Sequence, residues 1–201
     1  MITLPAIDPQ KKWRAVGLGY AAFGVLYTLT GRVHLRPVAT LPFSLLDRLL
    51  PFTDWMVWVY LSQFAFLFSC LRLLKQRTNL SRVLYGMALA SLLSFSVFFV
   101  CPVALPRDHQ ASTGVTGLAF KLLYLTDSSA NCLPSLHVSL AWLAALGMVE
   151  ERGRCGWGLI VWASTITLST LLTRQHYAAD VVAGMAVTVF CRGLISRVHF
   201  A

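Results

Sequence analysis

Apolar residues in this chain gather in long blocks, and the polar ones fall between them. A helix that crosses a bilayer needs about 20 mainly apolar residues. Six stretches meet or approach that length: 14–31, 55–74, 83–103, 134–149, 157–173 and 179–196. The fourth and fifth are short, which predicts a tilt or an extension into the flanking loops. Pro37, Pro42 and Pro51 break the segment between the first two blocks, since proline lacks the amide donor that a helix interior needs. Within that segment "LPFSLLDRLLPF" predicts a short interfacial helix. No repeat, low-complexity tract or linker divides the chain. The pattern therefore predicts an all-α, polytopic membrane protein with six transmembrane helices. It forms one domain over residues 1–201, with its core over about 40–196.

Composition supports lipid as the solvent. Of 201 residues 57% are hydrophobic and only 12% charged, against about a quarter charged in soluble domains. The net charge of +9 does not point to nucleic acid, because that needs a clustered basic face. Here the basic residues sit in short groups between the apolar blocks. Six spans put both termini on one side. That side holds Lys11, Lys12, Arg14, Arg72, Lys75, Arg77, Arg82, Arg152, Arg154, Arg192 and Arg197, eleven of the 17 basic residues. The opposite side holds Arg32, Arg36, Arg48, Arg107, Lys121 and Arg174. The positive-inside rule then makes the termini cytoplasmic, and the small size suggests a bacterial inner membrane. No small-residue cleavage site follows the first apolar block, so a cleavable signal peptide is not expected. The five cysteines are scattered and read as buried free thiols. Trp13, Trp55 and Trp157 near span ends read as interface anchors. The Asn79-Leu80-Ser81 sequon falls in a basic cytoplasmic loop and reads as a chance match.

This topology brings three polar groups to the outer face: "CPVALPRDH" (101–109), "NCLPSLH" (131–137) and "TRQHYAAD" (173–180). They are distant in the chain yet share one membrane depth, and ionisable residues there mark function by default. His176 and Asp180 are four residues apart, so on a helix they share a face. A carboxylate one turn on fixes the imidazole tautomer and frees the other nitrogen as nucleophile or base. His137 follows Pro134, a good first residue of a helix, where free amides and the helix dipole favour an anion. Ser135 adds a hydroxyl to that cradle. Arg107 and Arg174 supply guanidinium groups suited to phosphate. Together these residues make a phosphoryl-transfer site without a metal or other cofactor. His176 attacks phosphorus, His137 protonates the departing oxygen, and the arginines, Ser135 and backbone amides hold the equatorial oxygens.

"CLPSLHVS" followed by "TRQHYAADVVAG" resembles the second and third signature motifs of the type 2 phosphatidic acid phosphatase (PAP2) superfamily. Leu136 between Ser and His, with "LLDRLLPFTDWMVWVYLSQF" (45–64) and "CPVALPR" (101–107), resembles the inositol phosphorylceramide synthase branch. The likeness runs from about residue 40 to 190. It implies a six-helix PAP2-type bundle without metal, with His176 as nucleophile, Asp180 as its orienting acid and His137 as the leaving-group acid. It also implies phosphate contacts from Ser135 and Arg107. The arginine expected six residues before the nucleophile is Thr170 here, and Arg174 is its substitute if "TRQ" is loop. The first-motif lysine has no match; Lys121 takes that place by position alone.

The leading function is hydrolysis of a lipid phosphate or diphosphate that reaches the site sideways from the bilayer. The same intermediate could instead pass its phospho-head group to an alcohol, as in sphingolipid head-group transferases. Two remoter alternatives are a rhomboid-like Ser135–His176 protease dyad and a proton-coupled transporter using His176 and Asp180. Asp47, Asp127 and Asn131 resemble features of the inositol phosphorylceramide synthase branch and fit turn or cap roles equally well. His34, His109 and His199 lack partners at useful spacing.

Overall fold

The structure, a computed structural model, describes residues 2–107 and 113–201. The described residues are mostly helical: α1 Lys12–Thr30, α2 Leu45–Leu49, α3 Val57–Leu61, α4 Gln63–Leu73, α5 Arg77–Val100, α6 Gly114–Thr126, α7 Leu136–Arg152, α8 Trp157–Leu172 and α9 Ala178–Ile195. Four helical stretches among them are long and apolar enough to cross a membrane: Asp54–Leu73, Arg77–Val100, Leu136–Leu172 and Ala178–Ile195. The third of these is a hairpin. Gly153 ends α7 with φ +56°, a left-handed geometry suited to glycine, and the chain turns back into α8. The expected interfacial helix is α2, whose start is closed by a reciprocal Ser44–Asp47 capping box.

One helix, α6, is absent from the expectation. Its thirteen residues are too few to cross a bilayer, so a span-length criterion passes over them. α6 packs against α3 through Ala119, Phe120 and Leu123 and leaves Val115, Leu118 and Leu125 exposed.

α7 lies at the centre, with α4, α5, α8 and α9 as neighbours. Ala141, Ala144 and Ala145 form a fully buried small-residue stripe on it, which lets neighbouring backbones come close, as in membrane bundles generally. Glycines tighten two further contacts. A Cβ on Gly147 would run into the Val83 side chain. A Cβ on Gly184 of α9 would stand 2.7 Å from the Ser135 carbonyl oxygen and 3.0 Å from Val138 Cβ. Gly184 therefore sets how closely α9 approaches the first turn of α7.

The ends of the elements gather at two poles. Strands Thr3–Leu4 and His199–Phe200 pair in parallel, so the termini lie side by side. At the same pole the Lys12 ammonium donates to the Leu74 and Arg72 carbonyls, and Glu151 accepts the Lys75 amide. Trp13 and Trp157 stand exposed near this end. Asn79 of the sequon is buried in α5, in keeping with a chance match. The opposite pole holds α2, the ends of α5 and α8 and the starts of α7 and α9.

The contact at Gly184 gives a direct test. Gly184→Ala is expected to destabilise the detergent-solubilised protein by about 1–3 kcal/mol, the usual cost of overpacking. Gly158→Ala in α8, where the space is open, is expected to be neutral or stabilising. Thermal unfolding of the two variants side by side checks the contrast.

Candidate active site

Short backbone links join the three polar groups at the second pole. Isolated bridges pair Val103 with Ala39 and with Asn131, which fixes the first group beside the second. The Ser135 amide donates to the Asp180 carbonyl (3.1 Å), which fixes the second beside the third. After α8 the chain folds back sharply, because the Thr170 carbonyl accepts the amides of both Gln175 (3.0 Å) and His176 (3.2 Å). Arg174 takes φ +54° in this turn, a conformation uncommon for a residue with a Cβ.

The turn delivers His176 to the start of α9. Its Nδ1 lies 3.2 Å from Asp180 Oδ2, and the same oxygen accepts the Tyr177 amide at 2.9 Å. Asp180 has no solvent exposure. With Nδ1–H donating to the carboxylate, Nε2 is the unprotonated nitrogen. His137, in the first turn of α7, faces it with ring centroids 5.9 Å apart and planes tilted by 57°. Tyr60 of α3 stacks on His137 at 4.1 Å, and its hydroxyl lies 3.3 Å from Nδ1. As a general acid His137 is the imidazolium, in which Nδ1–H donates to the Tyr60 hydroxyl and Nε2–H is the proton to be given up.

Arg107 stands at the wall of the same cavity. It donates to the Asp127 carbonyl (2.8 Å) and carboxylate (2.5 Å) and lies over Tyr124. The other Asp127 oxygen accepts the Tyr27 hydroxyl. Ser135 caps α7 by accepting the Val138 amide at 3.4 Å and is fully buried. It lies behind the cavity wall and not on it.

Arg174 and Lys121 sit apart from the histidines. "TRQ" is indeed loop, as the substitution for Thr170 requires. The left-handed turn nevertheless sends the Arg174 guanidinium to the carbonyls of Asp47 and Leu50 and over the Phe43 ring. Lys121 is exposed on α6 and lines neither cavity of this pole. Thr170, in place of the expected arginine, uses its hydroxyl on the Thr167 carbonyl. His109 lies outside the described residues, and His34 and His199 do not line the cavity.

The cavity has a volume of about 650 Å³. Its polar end carries His137, His176, Arg107, Asn131 and Gln175, and its long side carries apolar residues such as Phe23, Leu67, Leu122 and Leu140. That side runs between α1 and α6, whose rim residues Tyr20 and Leu118 are exposed. A polar head with an apolar flank suits an amphiphile.

Several contributors were not legible as such in the sequence. Tyr60 lies in the 45–64 stretch that carries the branch resemblance, but no role is read from it, and Tyr27 comes from a helix with no motif. Asp127 does more than end α6, since it holds Arg107. Asp47 both caps α2 and accepts the Ala178 amide at 2.7 Å, tying α2 to the start of α9. Burial pushes the Asp47 carboxyl up, but the Ser44 hydroxyl, the Ala178 and Ser44 amides and Arg174 outweigh this and hold it below its ordinary value. The ligating atoms of Cys132, His176 and Asp180 lie within 4.8 Å of one another. Burial pushes the Cys132 thiol up to about 12. A Ser135–His176 dyad is not formed, since each side chain is bonded elsewhere.

Tyr60 acts through His137 and is a positioning residue. Tyr60→Phe keeps the stack and removes the hydroxyl. In a lipid phosphate assay kcat is expected to fall about 3–10-fold, the worth of one neutral hydrogen bond, with the acid limb of the pH–rate profile displaced and KM little changed. An unchanged profile would assign Tyr60 to packing alone.

No curated protein matches the chain. A family model of the PAP2 superfamily matches residues 26–194, a span that holds all three polar groups and both histidines. Since that is most of its length, the chain belongs to the PAP2 superfamily, whose members are phosphatases or related phosphotransferases.

Proposed function

We propose that this integral membrane protein is a lipid phosphatase that hydrolyses a phosphate or diphosphate head group through a phosphohistidine. The observation that carries the reading is the buried Asp180 carboxylate on His176 Nδ1, with the His137 ring across the cavity. His176 Nε2 forms a bond to the terminal phosphorus as the bond from that phosphorus to its leaving oxygen breaks, an oxygen that belongs to the lipid alcohol in a monophosphate and to the lipid monophosphate in a diphosphate. His137 gives its Nε2 proton to that oxygen. Water then attacks the phosphohistidine, His137 takes a proton from it, and inorganic phosphate leaves with His176 restored. Arg107 and the first-turn amides of α7 meet the charge on the equatorial oxygens. No metal takes part in this scheme.

In the membrane, six crossings are proposed: α1, the broken helix α3–α4, α5, α7, α8 and α9. The paired termini suit an even number. The more basic pole then faces the cytoplasm and the histidines the outer side of what we take to be a bacterial inner membrane. Substrate slides in between α1 and α6 with its tail along the apolar flank.

A second reading, transfer of the phospho-head group to an alcohol, shares every step up to the phosphohistidine. It is favoured by a separate cleft beyond Arg107 with room for a head group or acceptor.

Purified protein is expected to release phosphate from a panel of lipid phosphates with a chelator present, and His176→Ala and His137→Ala to reduce release to background. Release from the wild type that disappears with chelator, or survives in His176→Ala, would refute the scheme. A parallel incubation with labelled phospholipid and alcohol acceptors separates hydrolysis, which yields free phosphate, from transfer, which yields a new phosphodiester.

A further inference from the structure

Cys132 has no part in the phosphoryl chemistry, yet its sulfur stands beside the residues that carry it. It is a free, buried cysteine. Its Sγ lies 3.1 Å from the Ser129 carbonyl and 3.7 Å from the carbonyl of Gln175, the residue before His176. Ligating atoms of Cys132, His176 and Asp180 therefore all fall within 4.8 Å of one another. A tetrahedral ion with bonds of about 2.0–2.3 Å holds its ligand atoms roughly 3.3–3.6 Å apart. His176 Nδ1 and Asp180 Oδ2 already stand 3.2 Å apart.

Asp180 also has an oxygen to spare. Oδ2 takes the Tyr177 amide and the imidazole, whereas Oδ1 is buried and has no hydrogen-bond partner among the described residues. An anionic oxygen left in that state is costly, and a cation beside it offsets the cost. Access is open as well, since Cys132 and His176 both line the main cavity. One sulfur, one imidazole nitrogen and one carboxylate oxygen suit zinc and ions like it. Magnesium and calcium seek six or more oxygen ligands and do not fit this set.

We propose that Cys132, His176 and Asp180 form an inhibitory site for one zinc-class divalent cation, which silences the nucleophile while it is bound. The Cys132 thiol gives its proton to solvent as the sulfur bonds to the ion, because a coordinating thiol is deprotonated outright. At His176 the ion takes Nδ1, and the imidazole proton moves to Nε2, the atom that attacks phosphorus. One proton leaves the protein in all. Thiolate and carboxylate together balance the charge of the ion, and water fills its fourth position. The cation is a brake and not a cofactor, so the phosphoryl scheme runs without it. The effect on rate rests on the phosphoryl-transfer reading of His176, whereas binding rests on the ligand geometry alone.

Cobalt(II) stands in for zinc and reports its own ligands, because a bond to thiolate gives a charge-transfer band in the near ultraviolet. The metal-free, detergent-solubilised full chain is titrated with it. The wild type is expected to reach that band at one cobalt per chain and to lose it when zinc is added. Cys132→Ser is expected to lack the band. Cys101→Ser combined with Cys155→Ser, which removes the two exposed thiols, is expected to keep it. His176→Ala retains the sulfur and is expected to bind cobalt at least about tenfold more weakly, which decides the matter if Cys132→Ser fails to fold. No band in the wild type, a band that survives Cys132→Ser, or an unchanged affinity in His176→Ala would overturn the proposal and leave the histidine chemistry standing.

Phosphate release supplies a second readout. Zinc is expected to suppress it in the wild type where magnesium does not, and the half-inhibiting zinc concentration to rise at least about tenfold in Cys132→Ser. Equal inhibition of the two proteins, or none in an active wild type, overturns the proposal. A wild type that binds cobalt as described but releases no phosphate from any lipid, chelator included, overturns the phosphatase reading instead and leaves the metal site standing.

Discussion

Asp180 has no contact with solvent, and one of its carboxylate oxygens is shared between the Tyr177 amide and the His176 imidazole. A buried carboxylate is costly unless hydrogen bonds satisfy it; Oδ2 takes two bonds while Oδ1 has no partner among the described residues, and those two bonds start α9 and orient His176. The Asp180 carbonyl also accepts the Ser135 amide, so the residue that orients one histidine ties its helix to the helix carrying the other. Remove the carboxylate and three things loosen together: the cap of α9, the orientation of His176 and the register of α9 on α7.

The rest of the bundle can be understood as what lets this constraint persist. Gly184 lets α9 lie against the Ser135 carbonyl, and the alanine stripe on α7 brings its other neighbours close. The turn after α8 depends on one carbonyl, that of Thr170, accepting two amides. Arg174 then braces the α2 segment against this turn, and Asp47 returns the brace to Ala178. The two clefts of this pole meet at Arg107.

The span pattern made most of the fold readable before any coordinates. All six apolar stretches are helical over most of their length, and "LPFSLLDRLLPF" contains α2. α6 was hidden because its thirteen residues are too few for a crossing. For the site, the i, i+4 spacing of His176 and Asp180 was readable because helical geometry puts such pairs on one face. Their closeness to His137 came from charge and depth and not from any local pattern. Arg174 shows where such inference stops: its direction follows from a left-handed φ that no motif announces. Tyr60 and Tyr27 were invisible for a simpler reason, since an aromatic in an apolar helix reads as packing until its hydroxyl finds a partner.

The central claim is a covalent bond between His176 and phosphorus. Rapid alkaline quenching of turnover with a phosphorus-labelled lipid phosphate, followed by peptide mass spectrometry, tests it most directly. The account predicts an acid-labile, alkali-stable phosphoryl group on the peptide carrying residue 176, formed at least as fast as phosphate is released. Steady release of labelled phosphate with no adduct there, or with the adduct on another residue, would contradict it.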